Sequence, residues 1–421
     1  MKKLAVTILF LAAACAAAHA QPAPTPQPKA DASDASANAL RQKTFEKTWE
    51  TVRDKFYDPN FNGVDWKAVR ERYAPRVASV KSDAELYDLL KEMLAELKVS
   101  HMEIITPEVL KQLKMPPVTT GLGLRKVEGR LVVMRVLPGS SAERAGVRPG
   151  FAVSKIDGAE LKDLDDALVH LHGAPGTKVA VTFLVERDEA REITLERTAL
   201  GPGEIERTDF GHGISLYSLF DARRLEGGIG YISFTQFIPA LDKKIGEALD
   251  SMQDAPGLIL DLRGNGGGED TVAIRLAGHL FDKPTQLMIT RTRKGDDLYY
   301  RTRPSKSPYL GPVVILVDGG SGSASEQLTA GLQEAGRAYV IGTRTEGDDM
   351  DADLAQLPTG AYLVYAAGQP RTPKGVVIEG RGVRPDLEVN LTRAGLLGGD
   401  DAQLGAAIQY IKNHQTTKGT H

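Results

Sequence analysis

Hydrophobic positions change their period twice along the 421-residue chain, which divides it into three textures. From Leu40 onward Phe45, Trp49, Val52 and Phe56 recur at three- and four-residue steps, the repeat of a half-buried helix. Asp58-Pro59-Asn60 and Asn62-Gly63 interrupt it. A second helical stripe over 84–97 carries Leu86, Leu89, Leu90, Met93, Leu94 and Leu97 on one face and ends at Ser100-His101. Beyond Met115-Pro116-Pro117, short β-rich stretches alternate with turns. They predict strands at 131–137, 152–156, 178–186 and 191–197, with short helices near 141–145 and 164–171. From Gly228 strands alternate with helices, the signature of an α/β domain. Strands are expected at 230–234, 258–262, 313–317 and 339–341, and helices at 241–252, 270–281 and 324–335. A last helix is expected over 402–413.

The expected architecture is therefore multidomain α/β: a helical subdomain over 39–114, a β-rich domain over 117–200, an α/β core over 205–395, and a C-terminal helix and tail over 396–421. Residues 1–20 read as a signal peptide. Lys2 and Lys3 precede an apolar run too short to span a bilayer, and Ala18-His19-Ala20 supplies a small-x-small cleavage site. Residues 21–38, rich in Pro, Ala, Asp and Ser, read as a disordered tether. The sequence Leu11-Ala12-Ala13-Ala14-Cys15 also fits a lipoprotein signal, with Cys15 as the anchor in place of a soluble periplasmic product. Cys15 is the only cysteine, so cleavage after Ala20 excludes disulfides, thiolate metal sites and a cysteine nucleophile. A net charge of −3 gives no reason to expect nucleic acid as a partner. No internal stretch approaches the roughly 20 apolar residues of a transmembrane helix.

Two strand-to-helix turns carry the candidate chemistry. After the apolar run Val313-Val314-Ile315-Leu316-Val317 comes Asp318-Gly319-Gly320-Ser321-Gly322-Ser323-Ala324-Ser325-Glu326. A serine on such a turn is exposed beside the orphan N–H groups of a helix, which favour a developing anion. Ser323 with Glu326 three residues later is equally a capping box, an ordinary helix start. The second turn, Leu260-Asp261-Leu262-Arg263-Gly264-Asn265-Gly266-Gly267-Gly268, can bring backbone close to a ligand, as an oxyanion hole needs. A phosphate cradle would end in Gly-Lys-Ser or Gly-Lys-Thr, whereas Glu269 follows Gly268 here.

These segments resemble the C-terminal-processing and tricorn-core serine peptidases over Phe45 to about Val389. Leu-Asp-Leu-Arg-x-Asn-x-Gly-Gly at 260–268 looks like the family's oxyanion strand, and Ser-x-Ser-Ala-Ser-Glu at 321–326 like its nucleophile turn. Gly230-Tyr231-Ile232-Ser233-Phe234 and Gly382-Val383-Arg384-Pro385-Asp386 match two further blocks. Many members use a Ser-Lys dyad with the lysine 25 residues after the nucleophile; here that place is Asp348, after Thr345-Glu346-Gly347. The tricorn-type branch is similar at Glu96-Leu97-Lys98-Val99-Ser100-His101, which supplies a base there, and at Val376 to Val383, which supplies a glutamate. The resemblance implies a tetrad of Ser323 (nucleophile), His101 (base), Ser100 and Glu379, with the Gly267 and Ala324 N–H groups as oxyanion hole. It also implies a catalytic core of the ClpP/crotonase-like ββα superhelix type, with no cofactor and no metal. In the β-rich domain, Gly121-Leu122-Gly123-Leu124, Pro138-Gly139-Ser140, Arg148-Pro149-Gly150 and Ile156-Asp157-Gly158 resemble a PDZ domain, implying that the Gly121–Leu124 loop binds a peptide carboxylate. Phe151 stands where an acidic residue usually follows Pro-Gly.

Three alternatives stay open at this level. His212, in Phe210-Gly211-His212-Gly213, is the rival base among eight histidines. The missing lysine allows a silent peptide-binding protein, acting on protein substrates or C-terminal tails only by capture. An acyl-CoA enzyme of the crotonase type would share the core fold, although coenzyme A is cytoplasmic and the signal peptide argues for export. Glu346, Asp348, Asp349, Asp351 and Asp353 crowd one loop, ordinarily a solvated face, or else a cleft rim favouring Lys or Arg substrates.

Overall fold

The computed structural model describes residues 32–114, 117–201, 203–211 and 214–414. The signal segment, Cys15 and His212 lie outside them. Among the described residues no helix is long and apolar enough to cross a membrane.

Three helices, Ala32–Lys55, Trp66–Val77 and Asp83–Ala95, form the N-terminal subdomain. Asp65 and Ser82 cap the second and third by accepting the Ala68 and Glu85 N–H groups. Residues 32–38, assigned by composition to the tether, belong to the first helix, and residues 21–31 lie outside the described residues. The prolines that would break it stop at Pro28. Phe45, Phe56, Trp66, Leu86, Leu90 and Leu94 fill the core between the helices. That core is not closed by the subdomain alone. Met350, Leu363 and Tyr365, distant in sequence, complete it. The strand Glu103–Ile105 pairs antiparallel with Tyr362–Arg371, which stitches the subdomain to the rest of the molecule.

The β-rich module is a six-stranded antiparallel arrangement led by Leu122–Val127, Arg130–Val136, Ala152–Ile156, Lys178–Leu184 and Ala190–Glu196. Helices Ser141–Arg144 and Leu164–Leu171 complete it. Phe151 is buried against Phe183, with ring centroids 6.0 Å apart, which accounts for an apolar residue at that place. Leu122–Val127 is an edge strand.

The α/β core is a six-stranded sheet in the order Phe220–Arg224, Gly230–Phe234, Leu258–Asp261, Val313–Val317, Tyr339–Gly342 and Leu387–Glu388. Its first pair is antiparallel and the rest parallel. Alternate residues face opposite sides. Leu260, Ile315 and Val317 pack with Leu249, Leu276 and Leu328 of three helices, while Ile259, Val314 and Leu316 pack under Ala407 and Ile411 of Ala402–Asn413. Cover on both faces is why these strands read as unbroken apolar runs. A second sheet, built from Glu103–Ile105, Gln286–Thr292, Asp297–Arg301, Asp351–Gln356 and Tyr362–Arg371, has no counterpart among the expected strands. Glu346, Asp348 and Asp353 of the acidic stretch are exposed, as a solvated face expects, whereas Asp351 opens a strand and Asp349 is fully buried.

Candidate active site

Ser323 ends the loop that follows Val313–Val317 and starts the buried helix Ala324–Glu334. Its φ of 49° and ψ of −120° place a non-glycine residue in a strained conformation, of the kind retained where function requires it. The turn is held from beneath. The Ser323 N–H donates to the Asp348 carbonyl at 3.0 Å and to Glu326 Oε2 at 3.1 Å. Glu326 has no exposure and also accepts from Thr345 Oγ1 and the Gly347 N–H. Burial pushes its carboxyl up to about 7. The expected capping box is therefore present, and its glutamate serves to clamp the turn.

The glycine-rich turn lies against this one. Asn265 is fully buried and ties the two together. Its side chain donates to the Phe234 carbonyl at 2.9 Å and accepts from the Gly267 N–H at 3.0 Å, while its own carbonyl accepts from Gly322 N–H and Ser325 Oγ. Gly267 has φ of +105°, and a β-carbon there would sit 2.8 Å from Ser323 Cβ and 3.0 Å from the Ala324 nitrogen. The two expected oxyanion donors are therefore neighbours on either side of the serine. The Ala324 N–H opens a helix and has no intrahelical partner, whereas the Gly267 N–H is engaged by Asn265.

Ser100, His101 and Glu379 are brought together from positions 279 residues apart. Glu379 accepts the Ser100 N–H at 2.7 Å and the Ser100 hydroxyl at 2.9 Å. The Asp349 N–H, at 2.7 Å, fixes the same carboxylate. Ser100 Oγ lies 2.7 Å from His101 Nδ1. An ionised carboxylate only accepts, so the serine proton points to Glu379 and the serine lone pair to the imidazole. Nδ1 must then carry the ring proton, which leaves a lone pair on Nε2. His101 is 4% exposed and Nε2 has no hydrogen-bond partner among the described residues. His101 and Ser323 are therefore not in hydrogen-bond contact here, a common state before substrate binds at sites of this kind.

His101 faces a cleft of about 540 Å³ that the β-rich module closes from above, with Arg125, Lys126, Val127, Leu164 and Leu168 on its wall. The Gly121–Leu124 loop lies at the head of that wall strand. The Gly121 N–H is taken by Thr119 Oγ1, and its carbonyl accepts from Leu137.

Residues 228–389 match peptidase family S41, and residues 37–95 match the tricorn protease C1 domain. A carboxyl-terminal-processing protease of Synechocystis sp. is 29% identical over 391 residues, covering 90% of this chain and 88% of its own. The chloroplastic carboxyl-terminal-processing peptidase 3 of Arabidopsis thaliana is 28% identical, covering 82% of this chain and 68% of its own. Among solved structures, a photosystem II D1 C-terminal processing protease superposes with a TM-score of 0.59 at 26% identity, over 86% of this chain and 98% of that one. The chain carries a peptidase family S41 domain and is a serine-type peptidase.

In this S41 peptidase the position 25 residues after Ser323 is an aspartate whose carbonyl, not its side chain, touches the nucleophile turn. Two residues of the site carried no advance signal. Asp349 holds Glu379 through its backbone N–H, which no side-chain pattern can reveal. Asn265 was visible only as a letter of the Leu-Asp-Leu-Arg-x-Asn motif, not as the tie between two turns.

Burial disfavours the imidazolium of His101 and depresses its pKa to about 4. The neutral form is the base, so the acid limb of kcat/KM is expected near pH 4 and not at the ordinary histidine value. Peptide hydrolysis followed from pH 3.5 to 8 checks this; a limb near 6.5 would mean that His101 is solvated in the working enzyme.

Proposed function

We propose that this S41 peptidase is an exported C-terminal-processing endopeptidase that cuts peptide bonds through Ser323, His101, Ser100 and Glu379. The observation that carries the reading is the hydrogen-bonded chain from Glu379 through Ser100 to His101, ending in a buried nitrogen lone pair. In the first step His101 Nε2 takes the Ser323 proton as Oγ attacks the scissile carbonyl carbon. The carbonyl oxygen becomes an oxyanion beside Ala324 N–H and, once it turns from Asn265, Gly267 N–H. Collapse breaks the C–N bond, and Nε2 returns the proton to the leaving amine. Water then attacks the acyl-serine, its proton passing to Nε2; collapse breaks the acyl C–Oγ bond, Nε2 returns the proton to Ser323 Oγ, and the acid product leaves. Throughout, the imidazolium charge is countered through Nδ1–H, Ser100 and the Glu379 carboxylate.

A PDZ-type role for the β-rich module is supported by where its parts lie. The edge strand Leu122–Val127 and the helix Leu164–Leu171 both contribute to the cleft that holds His101. A peptide added to that edge by β-augmentation would run toward the catalytic residues. Export to the cell envelope rests on the signal-like residues 1–20, and processing of protein C-termini rests on the relatives that carry that name.

Casein hydrolysis and fluorophosphonate labelling of the mature protein test the reading together. The wild type is expected to cut and to take the label on Ser323, and Ser323→Ala is expected to do neither. A wild type that neither cuts nor labels would replace the peptidase mechanism with peptide capture.

A further inference from the structure

The turn that offers the Gly267 N–H has almost no side chains with which to hold itself. Of the five residues from Gly264 to Gly268 four are glycine, and the fifth, Asn265, ties it to the nucleophile turn. Its position must therefore be set largely from its ends. At the far end the Phe237 N–H donates to the Gly267 carbonyl and the Glu269 N–H to the Phe237 carbonyl, both at 2.8 Å. At the near end Asp318 and Arg125 take the backbone, accepting the Gly264 N–H at 2.7 Å and donating to the Arg263 carbonyl at 3.0 Å. Arg263 is also the last side chain before the turn, and that side chain is 12% exposed. Its guanidinium forks onto Asp261, Nε donating to Oδ1 at 2.9 Å and Nη2 to Oδ2 at 2.6 Å. Asp261 is itself buried and also accepts from the Tyr231 hydroxyl at 2.8 Å.

The third arm of Arg263 leaves the sheet altogether. Nη1 donates to Asp401 Oδ1 and to Gln403 Oε1, each at 3.0 Å, across 138 and 140 residues of chain. Asp401 Oδ1 also accepts the Leu404 N–H at 3.1 Å, so one oxygen both caps the helix Ala402–Asn413 and receives the arginine. Gln403 is buried, and its amide donates to the Val389 carbonyl at 2.8 Å. The helix is in turn anchored on the sheet. Ile411 fills the space beside Gly257, where a β-carbon would come within 2.3 Å of it, and Tyr410 stacks on Tyr339 with centroids 4.1 Å apart. Burial alone would raise the Asp261 carboxyl, but the Arg263 charge outweighs it and holds the acid below the usual carboxylate range. A largely buried arginine between two carboxylates is often worth no more stability than apolar residues of the same size. What it supplies is geometry, because the planar fork fixes direction as well as distance.

We infer that Arg263 is a positioning residue for the oxyanion turn, and that Asp401 and Gln403, from the start of the helix Ala402–Asn413, set the Gly267 N–H through it. The inference rests on the reading of that N–H as an oxyanion donor, and adds to it the part of the chain that aims the donor. A misplacement of about 1 Å can cost on the order of 10²-fold in rate. Partial release of the turn is therefore expected to lower kcat well before it unfolds anything.

The test uses the full mature protein with Arg263→Met, Asp401→Ser and Asp401→Asn, beside Gly267→Ala. Serine caps a helix as aspartate does but is too short to reach Arg263, whereas asparagine keeps the oxygen that accepts both bonds. Arg263→Met is expected to lower kcat about 30-fold and Asp401→Ser about tenfold, with KM within about threefold of wild type, and Asp401→Asn to recover most of the loss. A peptide aldehyde separates aim from general damage. Ser323 Oγ adds to its carbonyl carbon, the serine proton passes to His101 Nε2, and the carbonyl oxygen takes the oxyanion place; the matching peptide alcohol binds without one. Affinity for the aldehyde is expected to fall in step with kcat, and affinity for the alcohol to stay within about threefold. Asp401→Ser with wild-type kcat, or aldehyde and alcohol weakened alike, overturns the inference, and neither result needs Arg263→Met to fold. If Gly267→Ala weakens the aldehyde while Arg263→Met and Asp401→Ser do not, the oxyanion reading stands and only the inference is lost. If Gly267→Ala leaves the aldehyde affinity unchanged, or wild type binds aldehyde no tighter than alcohol, the reading beneath it falls and the inference with it.

Discussion

His101→Ala is expected to lower kcat/KM about 10⁴-fold, leaving KM within a few-fold of wild type. Among the described residues no other histidine lines the cleft. Asp348 occupies the place of a lysine, but at neutral pH a carboxylate offers no neutral amine base. The loss should not be additive with Ser323→Ala, because each change alone removes the whole proton-transfer path and leaves only oxyanion stabilisation and binding. Steady-state kinetics on one peptide for the two single variants and the double variant check this. If His101→Ala retains more than about a tenth of the activity, the base lies elsewhere, and His212 becomes the residue to replace next. The fold should persist, since the imidazole faces the cleft and is hydrogen-bonded to Ser100, its neighbour in sequence, so the melting temperature is a suitable control.

Gly267→Ala is expected to lower kcat by about 10²- to 10³-fold, the size of effect seen when one oxyanion donor is lost. Two physical terms act together. The backbone at φ of +105° is a conformation that side chains rarely adopt, and the new methyl would sit 2.8 Å from Ser323 Cβ and 2.9 Å from the Gly322 carbonyl. Relief requires the glycine turn to retreat from the nucleophile turn, which carries the Gly267 N–H away from the developing charge. A peptide reaching the cleft from the edge strand would still bind, so KM should change less than kcat. Strain of this kind costs roughly 1–3 kcal/mol of stability, measurable as a lower denaturation midpoint. A variant with kcat within threefold of wild type would place the oxyanion outside this turn.

Much of the peptidase was legible in the residues alone, for a physical reason. Helices such as Ala324–Glu334 and Ala402–Asn413, and strands such as Val313–Val317, declare themselves because one period of apolar residues must meet one core. The two active turns were legible because a glycine or serine between strand and helix is locally specified. The second sheet was not. Gln286–Thr292 and Tyr362–Arg371 carry Thr, Arg, Gln and Gly among their apolar residues, and their neighbours come from the N-terminal subdomain as well as the core.

What the sequence by itself determined is the set of elements and the chemistry available on each. The nucleophile turn, the Ser100-His101 pair and the glutamate segment were all named by local pattern and resemblance. Their assembly was decided only by tertiary structure. The Glu379 contact spans 279 residues, and it is held by a backbone N–H of a kind that almost every residue carries. Local sequence fixes dihedrals and faces, whereas the distance between side chains, and with it burial, tautomer and pKa, exists only once the packed core has set it.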